Sequence, residues 1–108
     1  MYFYDPKDRT AKELVPGINA ITFWGEQMLA AVVALEANVQ LPRHSHPHEQ
    51  LGIVIEGKIE FIIADEKKVL VPGEIYVIPS GVEHEARTFD HPVKVLDVFS
   101  PVREEYKY

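Results

Sequence analysis

Cysteine is absent from this chain of 108 residues, and so is any long apolar run. Without cysteine the protein forms no disulfide and offers no thiolate, either as a metal ligand or as a nucleophile. No run approaches the roughly 20 apolar residues that cross a bilayer, which argues against a membrane-spanning helix. Any bound metal must therefore be held by histidine, carboxylate or amide side chains.

Positive charge is sparse and scattered along the chain. There are 11 Lys and Arg against 17 Asp and Glu, a formal net charge of −6, and the basic residues form no cluster. The basic surface of a DNA- or RNA-binding protein is thus missing, and nucleic acid is not an expected partner. The N-terminal residues do not resemble a signal peptide, so we expect a cytoplasmic location.

Turn-forming pairs such as Pro-Gly and Glu-Gly interrupt the chain about every eight to twelve residues, a spacing typical of all-β sandwiches and barrels. No amphipathic helix of three turns fits between these breaks. The pattern predicts one all-β domain, residues 1–108, with enough strands to close a small barrel. The predicted strands are Ala20–Trp24, Met28–Val39, Gln50–Ile55, Lys58–Ala64, Lys67–Val71, Ile75–Ile78, Glu85–Phe89 and Val93–Phe99.

The segment His-Ser-His-Pro-His-Glu-Gln at positions 44–50 is the most informative part of the sequence. In an extended strand, residues two apart face the same side, so His44 and His46 direct two imidazoles at one point. Pro47 should bend the chain after this pair, which brings one of the next three residues to the same point. The spacing leaves all three open. His84, after a tight turn, is the candidate ligand from a neighbouring strand.

Two spaced motifs resemble those of the cupin superfamily. His44-x-His46-x3-Gln50-x6-Gly57 is similar to the first cupin motif, and Gly73-x5-Pro79-x-Gly81-x2-His84 is similar to the second. The chain departs from the usual pattern at two positions, with Gln50 where many cupins have Glu and Thr88 where the second motif often ends in Asn. The resemblance implies a small antiparallel barrel of the jelly-roll type.

The resemblance also implies a divalent metal ion held by four side chains: His44, His46, Gln50 and His84. The choice of Gln50 over Glu49 or His48 rests on the family alone. Three neutral imidazoles and a neutral amide leave the full charge on the ion, which favours an anionic ligand and Lewis-acid chemistry. Because imidazole-rich sites accept Zn, Ni, Mn, Fe or Cu, the metal is not identified.

The last predicted strand, Val93–Phe99, places a carboxylate among apolar side chains. If the face that carries Asp97 lines the barrel, burial raises the pKa of this residue, which suits proton transfer. In the reverse register Asp97 is solvated, although Lys94 favours the opposite face as the outer one. Arg103 either folds back over the barrel mouth as a carboxylate-binding fork or pairs with a neighbouring glutamate on the surface.

Residues 96–106 resemble the C-terminal stretch of one cupin subgroup, the KdgF-like uronate-processing proteins, in the pattern Asp-x-Phe-Ser-Pro-x-Arg-Glu. Members convert unsaturated monouronates, released from pectin or alginate by lyases, to linear ketonised sugars. The resemblance implies that Asp97 is the proton shuttle, Phe99 a packing wall for the sugar and Arg103 the carboxylate clamp. It also implies a small anionic sugar as the substrate.

Two other functions fit the same predicted site. One is a metal-dependent oxidative cupin of the dioxygenase type, and the other is a non-catalytic module that binds a small molecule. Apolar outer strands such as Met28–Val39 tend to pair across an interface, so we also expect a homodimer. We expect His48 and His91 to be exposed to solvent.

Overall fold

A computed structural model describes residues 2–108 of the chain. Within these residues it contains ten β-strands, in which all pairs are antiparallel, and two short 3-10 helices, Pro6–Asp8 and Glu104–Tyr106. The prediction of an all-β fold is confirmed. No helix in the described part of the chain is long and apolar enough to cross a membrane. The strands are β1 (Lys12–Val15), β2 (Ile18–Trp24), β3 (Leu29–Leu35), β4 (Gln40–His44), β5 (Glu49–Glu56), β6 (Ile59–Ile63), β7 (Glu66–Leu70), β8 (Ile75–Ile78), β9 (His84–Thr88) and β10 (Val93–Ser100).

The strands form two sheets that enclose the core. The larger sheet has the order β1-β2-β3-β10-β5-β8, and the smaller has the order β4-β9-β6-β7. Along β2, β3 and β10, buried residues alternate with more exposed ones, because successive side chains of a strand point to opposite faces. The inward faces of both sheets contribute to one apolar cluster, which includes Leu29, Val54, Ile59 and Ile78. This arrangement is the small antiparallel barrel expected from the sequence.

The structure corrects the predicted strands in the first half of the chain. The predicted strand Met28–Val39 ends at Leu35, after which the chain crosses to the smaller sheet and continues as β4. Asn38 has a positive φ of 56° at this crossing. The apolar run gave no sign of the break, so β4 was missed. The prediction also missed β1, an edge strand whose side chains are exposed or half-buried and show no alternation.

Thr88 stabilises the segment that connects β3 to β4. Its hydroxyl donates to the Glu36 carbonyl at 2.7 Å and accepts from the Val39 N–H at 2.9 Å. Thr88 is buried, with 4% of its surface exposed, so water cannot replace these contacts. The threonine at the position where the second cupin motif often has Asn therefore has a structural role, because it satisfies backbone groups at the point where the chain changes sheets.

Thr88→Val should destabilise the fold more than Thr88→Ser does. Valine keeps the shape of threonine but leaves the Glu36 carbonyl and the Val39 N–H without the hydroxyl, at a cost of about 1–3 kcal/mol. Serine keeps the hydroxyl and loses only a methyl group. Urea unfolding of the three proteins measures the difference. A valine variant as stable as the serine variant would contradict the role assigned to the hydroxyl.

Candidate metal centre

Three histidines from separate parts of the fold converge at one point. His44 is the last residue of β4, His46 lies in the loop that follows, and His84 is the first residue of β9, paired with His44. Each offers one ring nitrogen, and these three nitrogens lie within 4.8 Å of one another. His46 and His84 are buried and His44 is half-buried. The structure thus brings three of the four predicted ligands within reach of one ion.

The local geometry differs from the predicted pair of histidines on one strand. Because β4 ends at His44, His46 is placed by the loop and not by strand alternation. The imidazole rings of His44 and His84 are closest, with centroids 4.2 Å apart, whereas those of His46 and His84 are 5.0 Å apart. Both rings of the His-x-His pair therefore lie close to the ring of His84.

The chain bends at Pro47 and continues into β5. The alternation of side chains along β5 then distinguishes between Glu49 and Gln50, two of the three residues that the spacing left open as a further ligand. Glu49 is exposed, while Gln50 points inward and keeps only 6% of its surface exposed. The Gln50 Oε1 lies 3.0 Å from the His46 Nε2. His48 is half-buried rather than exposed as expected, and its Nδ1 is a buried atom without a hydrogen-bond partner among residues 2–108.

All three imidazoles are held in the same tautomer by backbone carbonyls. A carbonyl oxygen only accepts, so each Nδ1 carries the proton and donates, which leaves the Nε2 lone pair free. A hydrogen bond of this kind orients nearly every metal-binding histidine. The pairs are His44 with the Pro42 carbonyl at 2.7 Å, His46 with the His48 carbonyl at 2.9 Å and His84 with the Val82 carbonyl at 2.9 Å.

Burial keeps two of these histidines neutral. It lowers the pKa of His84 to about 4, and the positive charges of the neighbouring histidines and Arg103 act in the same direction. The pKa of His46 is also lowered, first by burial and then by the Arg103 guanidinium. Since only the neutral imidazole binds a metal, both groups are in the form that a metal site requires at neutral pH.

The contact between His46 and Gln50 shows that the residues present fit a metal ion. With its proton on Nδ1, His46 presents a lone pair at Nε2, and the Gln50 Oε1 facing it is also an acceptor. Two acceptors 3.0 Å apart repel unless a cation lies between or beside them. A divalent ion bound by both atoms removes this conflict, and imidazole nitrogens with an amide oxygen suit Zn, Ni, Mn, Fe or Cu.

Asp97 lies on the inward face of β10, as the alternation of the strand predicted, with 8% of its surface exposed. The Tyr76 hydroxyl donates to its Oδ1 at 2.5 Å, and the Gln50 amide is a second hydrogen-bond partner. Burial raises the pKa of Asp97 to about 6, against the opposing effects of Tyr76, Gln50 and Arg103. The reverse register, in which Asp97 would be solvated, is excluded.

Tyr76 was given no role by the sequence reasoning. Burial, and next the Asp97 charge, raise the pKa of its hydroxyl well above the ordinary value. The signal that could have indicated this contact is Gly52, an isolated glycine within strand β5, since such a glycine often marks the close approach of another group.

Arg103 both folds back over the barrel and pairs with a neighbouring glutamate, the two alternatives that the sequence left open. Its Nε donates to the Glu105 carboxylate at 2.8 Å, and its guanidinium lies over the rings of Tyr106 and Phe99, at 4.0 and 5.1 Å from their centroids. The side chain is only 14% exposed, so it folds back over the barrel despite its ion pair. Because Glu105 engages Nε, the two terminal nitrogens remain available for a carboxylate.

Phe99 is almost completely buried, with 2% of its surface exposed. Its ring meets the His46 imidazole edge to face at a centroid distance of 5.6 Å and the Tyr106 ring at 5.5 Å. In this position the ring packs against the predicted metal ligand His46 and lies under the Arg103 guanidinium.

A cavity of about 600 Å³ opens between β1, β4 and the C-terminal residues. Among the predicted site residues only His44 and Arg103 line it; Asp97 and Phe99 are buried and do not. Sequence reasoning missed Lys12, Tyr106 and Tyr108, which also line the cavity. No local signal identified Lys12, because the strand that carries it was itself missed. A cavity of this size accommodates a small-molecule ligand.

Asp97→Asn should stabilise the metal-free protein at pH 8 but not at pH 4. The pKa of the carboxyl is about 6 in the folded state against an ordinary 3.8, so the folded state binds this proton more tightly than the unfolded state. The free-energy cost of burying the ionised carboxylate is absent below pH 3.8 and grows as the pH rises to 6. Above that pH it is complete, at about 3 kcal/mol.

Urea unfolding of both proteins at the two pH values measures this difference. Asp65→Asn, in the exposed turn between β6 and β7, is the matched control and should show no such change. A difference between the Asp97 variant and the original protein that stays constant with pH would contradict the burial of an ionisable carboxyl.

Comparisons with known proteins agree with this geometry. The pectin degradation protein KdgF of Dickeya dadantii is 29% identical over 108 residues, covering 97% of this chain and 96% of that protein. The structure of KdgF from Halomonas sp. superimposes with a TM-score of 0.90 at 27% identity and covers 97% of both chains.

A further relative is the dimethylsulfoniopropionate lyase DddQ of Ruegeria pomeroyi, 33% identical over 75 residues. These cover 68% of this chain but only 37% of the lyase, so the chain spans little more than a third of that protein. Residues 31–99, well over half of the chain, match the family model described as Cupin domain. The two-sheet barrel, the convergent histidines and this match together show that the chain belongs to the cupin domain family.

Proposed function

We propose that this protein is a metal-dependent enzyme that converts unsaturated monouronates, such as those released from pectin or alginate, to linear ketonised sugars. The observation that carries the proposal is the buried carboxyl of Asp97, which contacts Gln50 and has a pKa of about 6. The similarity to KdgF along nearly the whole chain supports it.

The first part of the proposal is the metal site. A divalent ion held by His44, His46, Gln50 and His84 would supply Lewis-acid polarisation of the substrate's oxygens. Imidazole nitrogens and an amide oxygen carry no negative charge when they bind a metal, so they leave the positive charge of such an ion uncompensated. An anionic substrate is therefore favoured over a neutral one.

Asp97 is the group that moves the proton. In the metal-free protein burial raises its pKa to about 6, which brings it close to the neutral range in which general acid–base catalysis is efficient. Once the hemiacetal has opened, the acid form protonates the carbon of the former double bond, and the resulting carboxylate accepts the proton of the enol oxygen. The reaction returns Asp97 to its starting state and requires no oxidant.

Arg103 binds the substrate carboxylate. Its guanidinium lies at the cavity wall, held by Glu105 and by the Phe99 and Tyr106 rings, so little side-chain freedom is lost when a carboxylate binds. Lys12, on the same cavity, provides a second positive charge. The rings of Tyr106 and Tyr108 offer flat apolar surfaces against which the face of a sugar packs.

A second candidate is a lyase acting on dimethylsulfoniopropionate, because DddQ is 33% identical over 75 residues. That substrate is also a carboxylate. The smaller share of the chain covered by this similarity makes it the weaker of the two candidates.

The metal-loaded protein should accelerate the loss of ultraviolet absorbance of freshly prepared unsaturated galacturonate, and the metal-stripped protein should not. Asp97→Asn should reduce turnover by 10²–10⁴-fold, the usual effect of removing a general acid–base group, in assays at saturating metal in which elemental analysis confirms full occupancy. Asp65→Asn serves as the control and should retain full activity.

The same samples separate the alternatives. Turnover of dimethylsulfoniopropionate without turnover of uronates would favour the lyase, and metal-dependent oxygen consumption would favour an oxidative cupin. Binding of uronate without turnover would favour a non-catalytic module. Full uronate turnover by Asp97→Asn would contradict the role of Asp97.

We also propose that the protein forms a homodimer, although not through the strand named from the sequence. β3 lies inside the larger sheet between β2 and β10, so it offers no free edge. One edge of this sheet is β8, whose outward Ile75 and Val77 are 58% and 49% exposed. Both side chains adjoin β5, where Leu51 is paired with Val77 and is 46% exposed.

This patch, formed by Leu51, Ile75 and Val77, has the properties of an interface between two copies. An uncharged edge strand with contiguous apolar side chains is normally covered by a partner. A second copy of the chain brings the same patch, and a two-fold axis pairs a patch with itself.

Val77→Glu should convert the protein to a monomer in sedimentation equilibrium, because it places two charges in the proposed interface. The unmodified protein should sediment at twice the chain mass of 12.3 kDa. Val69→Glu is the matched control, since Val69 is 42% exposed but lies on β7 in the other sheet. An unmodified protein that is monomeric at high concentration would refute the proposed dimer.

A further inference from the structure

Three residues form a row across the larger sheet directly beside the candidate metal centre. Asp97 of β10 and Tyr76 of β8 are each paired with Gly52 of β5, which lies between them. A Cβ atom added to Gly52 would lie 2.1 to 2.4 Å from three atoms at the hydroxyl end of the Tyr76 side chain. The absence of a side chain at position 52 is therefore what allows the Tyr76 ring to cross β5 and reach Asp97.

The position of the Tyr76 ring is well defined. Tyr76 is 5% exposed, and its ring packs against Phe61 of the opposite sheet with a centroid distance of 4.2 Å. Its hydroxyl donates to the Asp97 Oδ1 at 2.5 Å. A donor held this firmly limits the rotation of the Asp97 carboxylate, because turning the carboxylate away would break a buried hydrogen bond.

The carboxylate in turn orients the amide of Gln50. The ionised form of Asp97 only accepts hydrogen bonds, so in this form Gln50 directs its amide nitrogen toward it. The amide oxygen then points the other way, toward the His46 Nε2 at 3.0 Å. This is the orientation that a metal ion needs, since the oxygen of an amide is a ligand and its nitrogen is not.

We propose that Tyr76, reaching Asp97 across Gly52, is a positioning residue that holds the Gln50 oxygen toward the metal. The inference rests on Gln50 being a metal ligand, as in the proposed function, and on no step of the sugar chemistry. It assigns Asp97 a second task in addition to proton transfer, because one carboxylate connects the tyrosine to the ligand. Outer partners of this kind typically change metal affinity by 10–100-fold.

Tyr76→Phe is the test, because it removes the hydroxyl and keeps the ring that packs on Phe61. We expect the dissociation constant for Zn²⁺, measured by competition with a chromophoric chelator, to rise at least tenfold. With Co²⁺ as the probe, the visible absorption bands should change in position or intensity, because the Gln50 oxygen is no longer held in place. Thermal unfolding of the metal-free proteins monitors folding.

Gln50→Ala and the double variant complete a thermodynamic cycle. If Tyr76 acts through Gln50, Tyr76→Phe should weaken Zn²⁺ binding in the original protein but have no further effect in the Gln50→Ala background. Equal effects in both backgrounds, or unchanged affinity and Co²⁺ spectrum in Tyr76→Phe, would overturn the inference.

The readout is metal affinity, so failure of the uronate assay is a separate result. An original protein that binds no Zn²⁺ or Co²⁺ would overturn this inference together with the metal site. An original protein that binds metal but turns over no uronate would overturn only the proposed reaction, and the cycle would still decide the role of Tyr76.

Discussion

The pairing of β5 with β10 is the constraint on which the rest of the site depends. It sets Gln50 opposite Phe99 and Gly52 opposite Asp97, with all of these positions facing inward. Because side chains alternate along a strand, a shift of one residue would turn Gln50 and Asp97 to the outer face. Buried apolar residues further along the two strands, such as the paired Val54 and Val95, hold this register. The same hydrophobic pattern that forms the core thus also places the polar groups.

The barrel buries several polar groups that a purely structural core would not contain. His84, Gln50 and Asp97 are each less than 9% exposed. Burial lowers the pKa of His84 and raises that of Asp97, which in both cases favours the uncharged form. Burial of this kind opposes folding, since ionisable groups are better solvated in the unfolded chain. A small domain has little stability to lose. Such a cluster is typical of a functional site, where perturbed groups are gathered in one place.

Local patterns predicted the parts of the site that come from short stretches of the sequence. The alternation in Val93–Phe99 correctly predicted an inward Asp97, and the His-x-His spacing identified two of the three convergent imidazoles. The parts that depend on long-range contacts were not predictable in this way. Nothing near Lys12 in the sequence shows that β1 borders the cavity, and nothing near Tyr76 shows that its hydroxyl crosses a neighbouring strand. In both cases the contact is made by residues far apart in the chain.

Charge presents a conflict that the local structure resolves. The chain has a formal net charge of −6, which repels an anionic sugar at long range, but salt screens such repulsion beyond about 10 Å. Within that distance the cavity is lined by Arg103 and Lys12 as well as by Glu13 and Glu105, of which Glu105 is paired with Arg103, and glutamine takes the place of the glutamate found in many cupins. A glutamate at position 50 would reduce the charge of a bound ion and stand close to Asp97, where two carboxylates repel. The neutral amide avoids both effects. It donates a hydrogen bond to the Asp97 carboxylate instead of repelling it, and it leaves the positive charge of the ion to attract the substrate.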